Sequence, residues 1–201
     1  MIPPFDTAPL ILLLWAAVGY FLGSIPFGMV LAKLMGLGNL RDVGSGNIGA
    51  TNVLRTGNKT AAALTLILDG GKGAAALILA RLFAGEDAAH LAAFAAFLGH
   101  CFPIWLMFRG GKGVATFFGI IFALYWPLGL ACAALWLTVA AIFRYSSLAA
   151  LVASALSPLL LLALGRPEAI ALCLMLTLLI YTRHVQNIKR LFFGTEFKIK
   201  G

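Results

Sequence analysis

The chain has 201 residues, of which 62% are hydrophobic and 11% are charged, and its mean hydropathy is +0.99. Soluble domains carry roughly a quarter charged residues, so this composition excludes a soluble globular protein and predicts an integral membrane protein. The net charge of +8 favours an anionic membrane surface or anionic substrates, whereas nucleic acid is disfavoured because no soluble module is left to carry a base-stacking surface.

The first predicted element is a membrane-spanning helix over residues 8–34. This segment has no charge before Lys33 and is longer than the roughly 20 residues that a span needs. Pro26, beside Gly23-Ser24, predicts a kink. No basic residue precedes the segment, so it lacks the basic region of a signal peptide and is expected to be retained.

A polar, glycine-rich loop, residues 41–55, follows the first span. Its glycines, Gly44, Gly46 and Gly49, allow backbone N–H groups to approach a ligand closely. The side-chain donors and charges among them are Arg41, Ser45, Asn47, Thr51, Asn52 and Arg55. Because such groups bind phosphate, the loop is expected to hold an anion.

The second predicted span, residues 61–84, contains the polar segment Asp69-Gly-Gly-Lys-Gly73. Asp69 and Lys72 are three residues apart, so on a helix they share a face and can pair. The glycines make a bent or partly unwound segment an equal alternative. In both cases the segment is expected to face protein or water and not lipid.

A second glycine-rich stretch follows the third predicted span, residues 88–108, which carries His100 in its later half. The stretch reads Phe108-Arg-Gly-Gly-Lys-Gly-Val-Ala-Thr116 and repeats the Gly-Gly-Lys-Gly pattern of residues 70–73. Its lysine places a compact point charge among glycines, which again suits an anion.

A long uncharged run, residues 114–143, comes next. As one helix it would measure about 45 Å, against a hydrocarbon core of about 30 Å. Trp126-Pro127 in its middle therefore predicts a hairpin of two short helices. Further spans are expected over residues 148–164 and 169–182, before a basic tail.

The distribution of charge sets the predicted topology. With seven crossings and an outside N-terminus, every Lys and Arg except Arg81 and Arg166 lies on the cytoplasmic side. A single span over 114–143 would instead place Arg144 and the basic tail outside. The prediction is an all-α membrane protein of seven transmembrane helices, some short or broken. It forms one domain over 1–201, with the polar stretches and the C-terminus facing the cytoplasm.

Nucleotide-binding motifs do not explain the glycines. Gly44-x-Gly46-x-x-Gly49 fits a dinucleotide fingerprint, but that motif requires a preceding strand and here follows a membrane helix. Lys72 and Lys112 are followed by glycine, where a P-loop requires Ser or Thr. Tight helix packing is the other explanation for glycines in membrane helices. Packing alone does not account for the hydroxyl, amide and cationic side chains gathered at one face, so an anion site is preferred.

The cysteines and histidines form no metal-ligand or disulfide pattern, and no metal or cofactor is expected. Cys101, Cys132 and Cys173 lie in apolar surroundings and are expected to be packing residues. His100 is expected to be a structural hydrogen-bond partner of the loops. His184, with Asn187 three residues later on the same helix face, could bind substrate, move a proton or anchor the helix at the headgroups. No nucleophile elbow is present.

Three polar segments together resemble a known family. They are Gly44-Ser-Gly-Asn-Ile-Gly-Ala-Thr-Asn52 with Arg55, Phe108-Arg-Gly-Gly-Lys-Gly113 with Thr116, and Arg183-His-x-x-Asn-Ile-x-Arg-Leu191 with Gly194-Thr-Glu196. In order and spacing they are similar to the cytoplasmic motifs of the bacterial acyl-phosphate:glycerol-3-phosphate acyltransferases, over essentially the whole chain. Arg109 stands where this family often has Lys, which keeps the charge.

The resemblance implies transfer of a fatty acyl group from acyl phosphate to the 1-hydroxyl of sn-glycerol 3-phosphate, giving lysophosphatidic acid and phosphate. This is the first step of phospholipid biosynthesis. In this family a substrate phosphate oxygen is thought to take the proton, although the sequence leaves His184 open as the acceptor.

The resemblance also assigns residues to roles. The catalytic set is Ser45, Arg55, Lys112, His184 and Asn187. The substrate-binding set is Gly44, Gly46, Asn47, Thr51, Asn52, Gly110, Gly111, Gly113, Thr116 and Ser147. The supporting set is Asp69, Lys72, His100, Arg190 and Glu196, with Glu196 ordering the tail. His184, Asn187 and Ser147 are assigned to glycerol 3-phosphate, and the two glycine-rich stretches to acyl phosphate.

The expected partners are acyl phosphate, glycerol 3-phosphate and membrane lipids, with functional coupling to the enzyme that makes acyl phosphate. The expected location is the bacterial inner membrane. The His-x-x-x-x-Asp signature of the other glycerophosphate acyltransferase class is absent. The alternative function is a membrane transporter of a phosphorylated metabolite, since broken helices also build transport sites. A purely structural role is disfavoured by the cost of burying Asp69 and Lys72.

Overall fold

The computed structural model describes residues 2–199, and all regular structure in that part of the chain is helical. The predicted all-α class is confirmed for these residues. Short 3₁₀ turns lie at Leu40–Asp42, Ile104–Leu106 and Pro167–Ala169. The α-helices are α1 (Pro9–Gly23), α2 (Phe27–Leu34), α3 (Ala50–Leu54), α4 (Lys59–Ala84), α5 (Glu86–Cys101), α6 (Val114–Leu124), α7 (Trp126–Phe143), α8 (Ser146–Ala163), α9 (Ile170–Arg183) and α10 (Val185–Phe192).

Five segments of the described chain are helical, long and apolar enough to cross a membrane. They are α1 with α2, α4, α5 extended to Leu106, α7, and α8. A sixth is counted if α9 and α10, bent by 63°, form one broken span. α6 is apolar but has only 11 residues, short of the roughly 20 that a span needs. The seven-helix count and the orientation therefore stay predictions.

The described chain divides into two compact units. One runs from Pro4 to Leu124, and the other is formed mainly by residues 125–199. The predicted single acyltransferase domain over 1–201 stays a prediction, and the two units are considered separately below.

In the first unit, α1 and α5 pack with their backbones in contact. Gly19 and Gly23 of α1 lie against the backbone of α5, and Gly99 of α5 lies against α1. A Cβ at any of the three would overlap backbone atoms of the opposite helix. Small residues permit this approach between membrane helices. Tyr20 Oη, in the same seam, donates to the carbonyl of Phe102 at 2.8 Å and attaches α1 to the segment beyond α5.

α4 continues without interruption through Asp69-Gly-Gly-Lys-Gly73, so the helical alternative is the observed one. Gly70 contacts the backbone of α6 at Gly119, and Gly73 lies against Thr116. At Gly70 and Gly73 the packing explanation applies, because both glycines let α6 approach α4 closely. Gly71 has open space where a side chain would lie.

Two breaks in the helices coincide with prolines. The kink predicted at Pro26 is a complete break, since α1 ends at Gly23 and α2 begins at Phe27. The break predicted at Trp126-Pro127 is confirmed: α6 ends at Leu124 and α7 begins at Trp126. Pro127 occupies the first turn of α7, where a missing N–H leaves no helical hydrogen bond unmade.

In the second unit, a proline inside α8 is compensated by a neighbouring helix. Pro158 has no N–H and leaves the carbonyl of Ser154 without its helical donor. That carbonyl accepts the Thr177 hydroxyl of α9 at 2.7 Å and the Ser157 hydroxyl at 2.8 Å. Hydroxyl side chains commonly satisfy such carbonyls in membrane helices. The Thr177 hydrogen bond therefore ties α9 to α8.

Thr177→Val is expected to lower the free energy of unfolding by about 1 kcal/mol, because the Ser154 carbonyl loses a donor while the volume is kept. Thr138→Val is the matched control, since the exposed Thr138 hydroxyl donates to Ala134 O within α7 at 2.8 Å. Its effect should stay below about 0.5 kcal/mol. Thermal or denaturant unfolding in detergent compares the two. Equal effects would contradict the role assigned to the Thr177 hydroxyl.

Candidate active site

The first glycine-rich loop is built around the buried side chain of Asn52. Its Oδ1 accepts the backbone N–H of Ser45 at 3.1 Å and Nη1 of Arg55 at 3.3 Å. Its Nδ2 donates to the carbonyl oxygens of Leu40 at 3.0 Å and Asn47 at 2.7 Å. Asn52 thus closes the loop upon itself. Its predicted contact with substrate stays a prediction, whereas its organising role is visible in these bonds.

The same loop presents polar and cationic side chains at its surface. Thr51 and Arg55 are exposed, and Ser45 and Asn47 are half-buried. The Arg55 side chain lies over Gly44, where a Cβ would come within 2.6 Å of Arg55 Cδ. Gly44 also has φ +51°, in the left-handed region that favours glycine. An anion that approaches this surface meets hydroxyl, amide and guanidinium donors.

The second glycine-rich stretch is held against the end of α5. The N–H groups of Gly110 and Gly111 donate to the carbonyl oxygens of Cys101 at 3.1 Å and His100 at 3.0 Å. Both glycines are buried, and a Cβ on Gly111 would overlap the His100 ring. His100 thus contacts the stretch through both its carbonyl and its ring, and its supporting role stays a prediction. These two amides are engaged within the protein, so their predicted contact with phosphate stays a prediction.

Lys112 is half-buried and lies between two closely packed glycines. Gly113 has φ +83° and packs on the Phe97 ring, while Gly111 packs on His100. α6 begins immediately afterwards, and the N–H groups of a helix N-terminus favour anions. The Lys112 backbone is therefore held in a defined position beside a helix N-terminus.

Arg41 joins the two glycine-rich segments. Its Nη1 donates to Gly46 O at 3.1 Å, and its Nη2 donates to the carbonyl of Arg109. Gly46 has φ +66°, which turns the loop at this contact. Sequence reasoning counted Arg41 only as a charge within the loop. It missed the linking role because the Arg109 carbonyl is far away in the sequence and no motif marks it.

The supporting residues of α4 are buried. Asp69 Oδ1 and Lys72 Nζ are 2.7 Å apart, and Lys72 Nζ also donates to Ile25 O at 2.7 Å. Thr116 is fully buried, and its hydroxyl donates to Asp69 O at 2.9 Å. This hydrogen bond joins α6 to α4. The assignment of Thr116 to substrate binding stays a prediction.

Four of the predicted residues form one cluster in the second unit. Glu196 Oε1 accepts the Ser147 hydroxyl at 3.0 Å and Asn187 Nδ2 at 2.7 Å. Glu196 Oε2 accepts Arg190 Nε at 2.7 Å, and the Glu196 side chain is only 6% exposed. The carboxylate thereby attaches the C-terminal segment to α8 and α10. The supporting role of Glu196 in the site stays a prediction.

His184 lies at the bend between α9 and α10 and is buried. Its Nδ1 is 2.8 Å from the carbonyl oxygen of Ile180. Because a carbonyl can only accept, Nδ1 carries the proton, and Nε2 is the basic nitrogen of the neutral ring. Asn187, three residues later, is buried as well. The Ile180 contact thus fixes the ring at the bend, and the role of His184 toward substrate stays a prediction.

Residues 2–199 contain no cluster of side chains arranged to bind a metal ion and no disulfide. No group of three or more His, Cys, Asp or Glu side chains in this part of the chain is arranged to hold a metal ion. The cysteines are buried free thiols, which confirms their interpretation as packing residues; they are Cys101, Cys132 and Cys173.

Comparison with known proteins identifies the family to which the chain belongs. The family model for glycerol-3-phosphate acyltransferase matches residues 13–194, which include both glycine-rich stretches and most of the C-terminal cluster. The chain belongs to the glycerol-3-phosphate acyltransferase family. Two relatives carrying that name come from Jannaschia sp. (strain CCS1), 63% identical, and Ruegeria sp. (strain TM1040), 61% identical. Each alignment spans 199 residues, 99% of this chain and 98% of the relative.

Two crystal structures of PlsY, described as an integral membrane glycerol 3-phosphate acyltransferase, have the same fold. The glycerol 3-phosphate form is 38% identical with a TM-score of 0.89, and covers 94% of this chain and 96% of PlsY. The lysophosphatidic acid form is 36% identical with a TM-score of 0.86, and covers 94% and 95%. The membrane character of this family member is therefore established, and the transporter alternative gains no support from these relatives.

Proposed function

We propose that this chain transfers a fatty acyl group from acyl phosphate to the 1-hydroxyl of glycerol 3-phosphate and releases lysophosphatidic acid and phosphate. The observation that carries the proposal is the likeness, over 94% of the chain, to an acyltransferase solved in glycerol 3-phosphate and lysophosphatidic acid forms. Lysophosphatidic acid is glycerol 3-phosphate that has gained one acyl group, so the two forms correspond to an acceptor and its acylated product.

The first unit supplies groups suited to the acyl donor. An acyl phosphate is a mixed anhydride with phosphate as its leaving group, so the reaction needs no serine nucleophile. What it requires is charge stabilisation on the departing phosphate and the carbonyl oxygen. Exposed Arg55 and half-buried Ser45 and Lys112 provide donors of this kind. We assign the donor phosphate to these three residues, with Asn47 and Thr51 beside them.

The second unit supplies groups suited to the acceptor. We assign glycerol 3-phosphate to His184 and Asn187, with Ser147 and Arg190 held nearby by Glu196. In the transfer, the 1-hydroxyl oxygen forms a bond to the acyl carbon and the bond from that carbon to the phosphate oxygen breaks. The hydroxyl proton leaves with the phosphate, which accounts for all atoms without an external base.

The membrane location and orientation of the site are part of the proposal. Membership of this family supports the bacterial inner membrane as the location. Nearly all basic residues fall on one side in the predicted seven-span topology, so we propose that the site faces the cytoplasm. Functional coupling to the enzyme that makes acyl phosphate fits this setting, because an amphiphilic, reactive anhydride is best used close to its source.

Purified protein in detergent or lipidic phase should be given palmitoyl phosphate and glycerol 3-phosphate, without metal or coenzyme A. We expect phosphate and lysophosphatidate to form only when both substrates are present, and Ser45→Ala to suppress both products. A parallel reaction with palmitoyl-CoA tests the donor assignment, and product from it alone would refute acyl phosphate. Absence of product with either donor, with glycerol 3-phosphate still bound, would favour the transporter.

A further inference from the structure

The buried ion pair of α4 stands out from its apolar surroundings. The side chains of Asp69 and Lys72 are 2% and 3% exposed. Removing two charges from water costs several kcal/mol per ion, and an apolar pair of similar volume is often at least as stable. Ionisable residues inside membrane helices are accordingly associated with function. Fold stability alone is therefore a weak explanation for this pair.

Each member of the pair contacts the end of a different helix in the first unit. Lys72 Nζ donates to Ile25 O at 2.7 Å, at the break between α1 and α2. Asp69 Oδ1 lies 3.7 Å from Nδ1 of His100, at the last turn of α5. His100 is 4% exposed, so its ring has little room to move. The pair thus connects the end of α1 with the end of α5.

His100 extends this connection to the second glycine-rich stretch. Its carbonyl accepts the Gly111 N–H at 3.0 Å, and its ring lies directly against Gly111. Lys112 is the next residue. Because the ring and the glycine are in contact without a side chain between them, a shift of the imidazole displaces the backbone from which Lys112 projects.

We propose that Asp69 and Lys72 are positioning residues that hold the loop of residues 110–113, through His100, in the orientation that Lys112 needs to meet the acyl donor. Lys72 balances the Asp69 charge and fastens it to Ile25, and Asp69 faces the His100 ring. The identity of the donor rests on the proposed function, whereas the holding of the loop rests on these contacts alone.

The double variant Asp69→Asn/Lys72→Met tests the proposal, because it removes both charges, nearly keeps the volume of each side chain and leaves no unpaired buried charge. We expect a folded protein in which the amides of residues 104–113 exchange hydrogen at least about tenfold faster. The kcat/KM for acyl phosphate should fall about tenfold, since small displacements of catalytic groups have effects of this size. The KM for glycerol 3-phosphate should change less than about twofold. A general loss of structure would affect both substrates and would not produce this difference between donor and acceptor.

Glu86→Gln is the matched control. It weakens the Arg81–Glu86 ion pair, which is also 2.7 Å long and joins α4 to α5, but is 29% and 53% exposed. This variant should change neither the hydrogen exchange of the amides of residues 104–113 nor the kcat/KM for acyl phosphate. If the double variant does not fold, Lys72→Arg keeps both charges and provides the same measurements, because its larger head group disturbs the contact with Ile25 O.

Unchanged exchange in residues 104–113 of a folded variant would overturn the proposal, whatever happens to activity. Faster exchange with an unchanged kcat/KM would also overturn it, because the loop position would then not matter for transfer. The unmodified protein could also show no acyl transfer while the double variant still exchanges hydrogen faster in residues 104–113. That result would support the holding of the loop and count against the proposed function.

Discussion

Lys112→Ala is expected to lower the kcat for acyl transfer at least about a hundredfold, which corresponds to about 2.7 kcal/mol of transition-state stabilisation. The backbone of Lys112 is held between Gly111, which packs on His100, and Gly113, which packs on Phe97. A compact ammonium can follow the charge that develops on the leaving phosphate. Arg41, Arg55 and Arg109 remain in the variant, so binding of the donor should weaken much less than turnover.

Steady-state assays with varied palmitoyl phosphate separate these two effects. Lys59→Ala is the control, because Lys59 is an exposed lysine at the start of α4 and its removal changes the net charge equally. Lys112→Arg should recover part of the lost rate. A fall in kcat of similar size in Lys59→Ala would show that overall charge, and not the position of Lys112, controls the rate.

Glu196→Ala is expected to lower kcat/KM for glycerol 3-phosphate about thirtyfold. The Glu196 carboxylate accepts bonds from Ser147, Asn187 and Arg190, all at 3.0 Å or less. Bonds to a charged group are worth about 1.5–3 kcal/mol, and about 2 kcal/mol corresponds to thirtyfold. Without the carboxylate, Asn187 and Arg190 lose their common partner. The effect should therefore appear mainly as a higher KM for the acceptor.

Glu168→Ala provides a close comparison in the same unit. Glu168 accepts Arg166 Nε at 2.6 Å, much as Glu196 accepts Arg190, but its side chain is 43% exposed. Exposed pairs of this kind contribute about 1 kcal/mol or less. Acceptor titrations on both variants give the result, and an unchanged KM in Glu196→Ala would refute the acceptor-side role of the cluster.

Much of the fold could be predicted because membrane-spanning helices are recognisable in a sequence as apolar runs of sufficient length. The breaks at Pro26 and Trp126-Pro127 were also visible, since proline removes a backbone donor. α6 shows the limit of this reasoning. An apolar helix of 11 residues satisfies the composition but not the length of a span, so the count of crossings depends on more than hydropathy.

The candidate site was predictable as a set of residue types but not as a set of hydrogen bonds. The three polar segments identified the family. The internal bonds of Asn52, the engaged amides of Gly110 and Gly111 and the reach of Arg41 to Arg109 were not visible. A sequence shows which groups can donate or accept, but not which of their atoms are already occupied by partners distant in the chain.

The backbone contact between α1 and α5 has a consequence for genetic variation. Every single-base change in a glycine codon that alters the residue introduces at least a Cβ. Gly19, Gly23 and Gly99 have no space for one, because the opposite helix backbone already occupies that position. Inactivating alleles of this gene should therefore include missense changes at these codons. Such alleles would disable the enzyme by separating two helices and not by altering a residue of the candidate site.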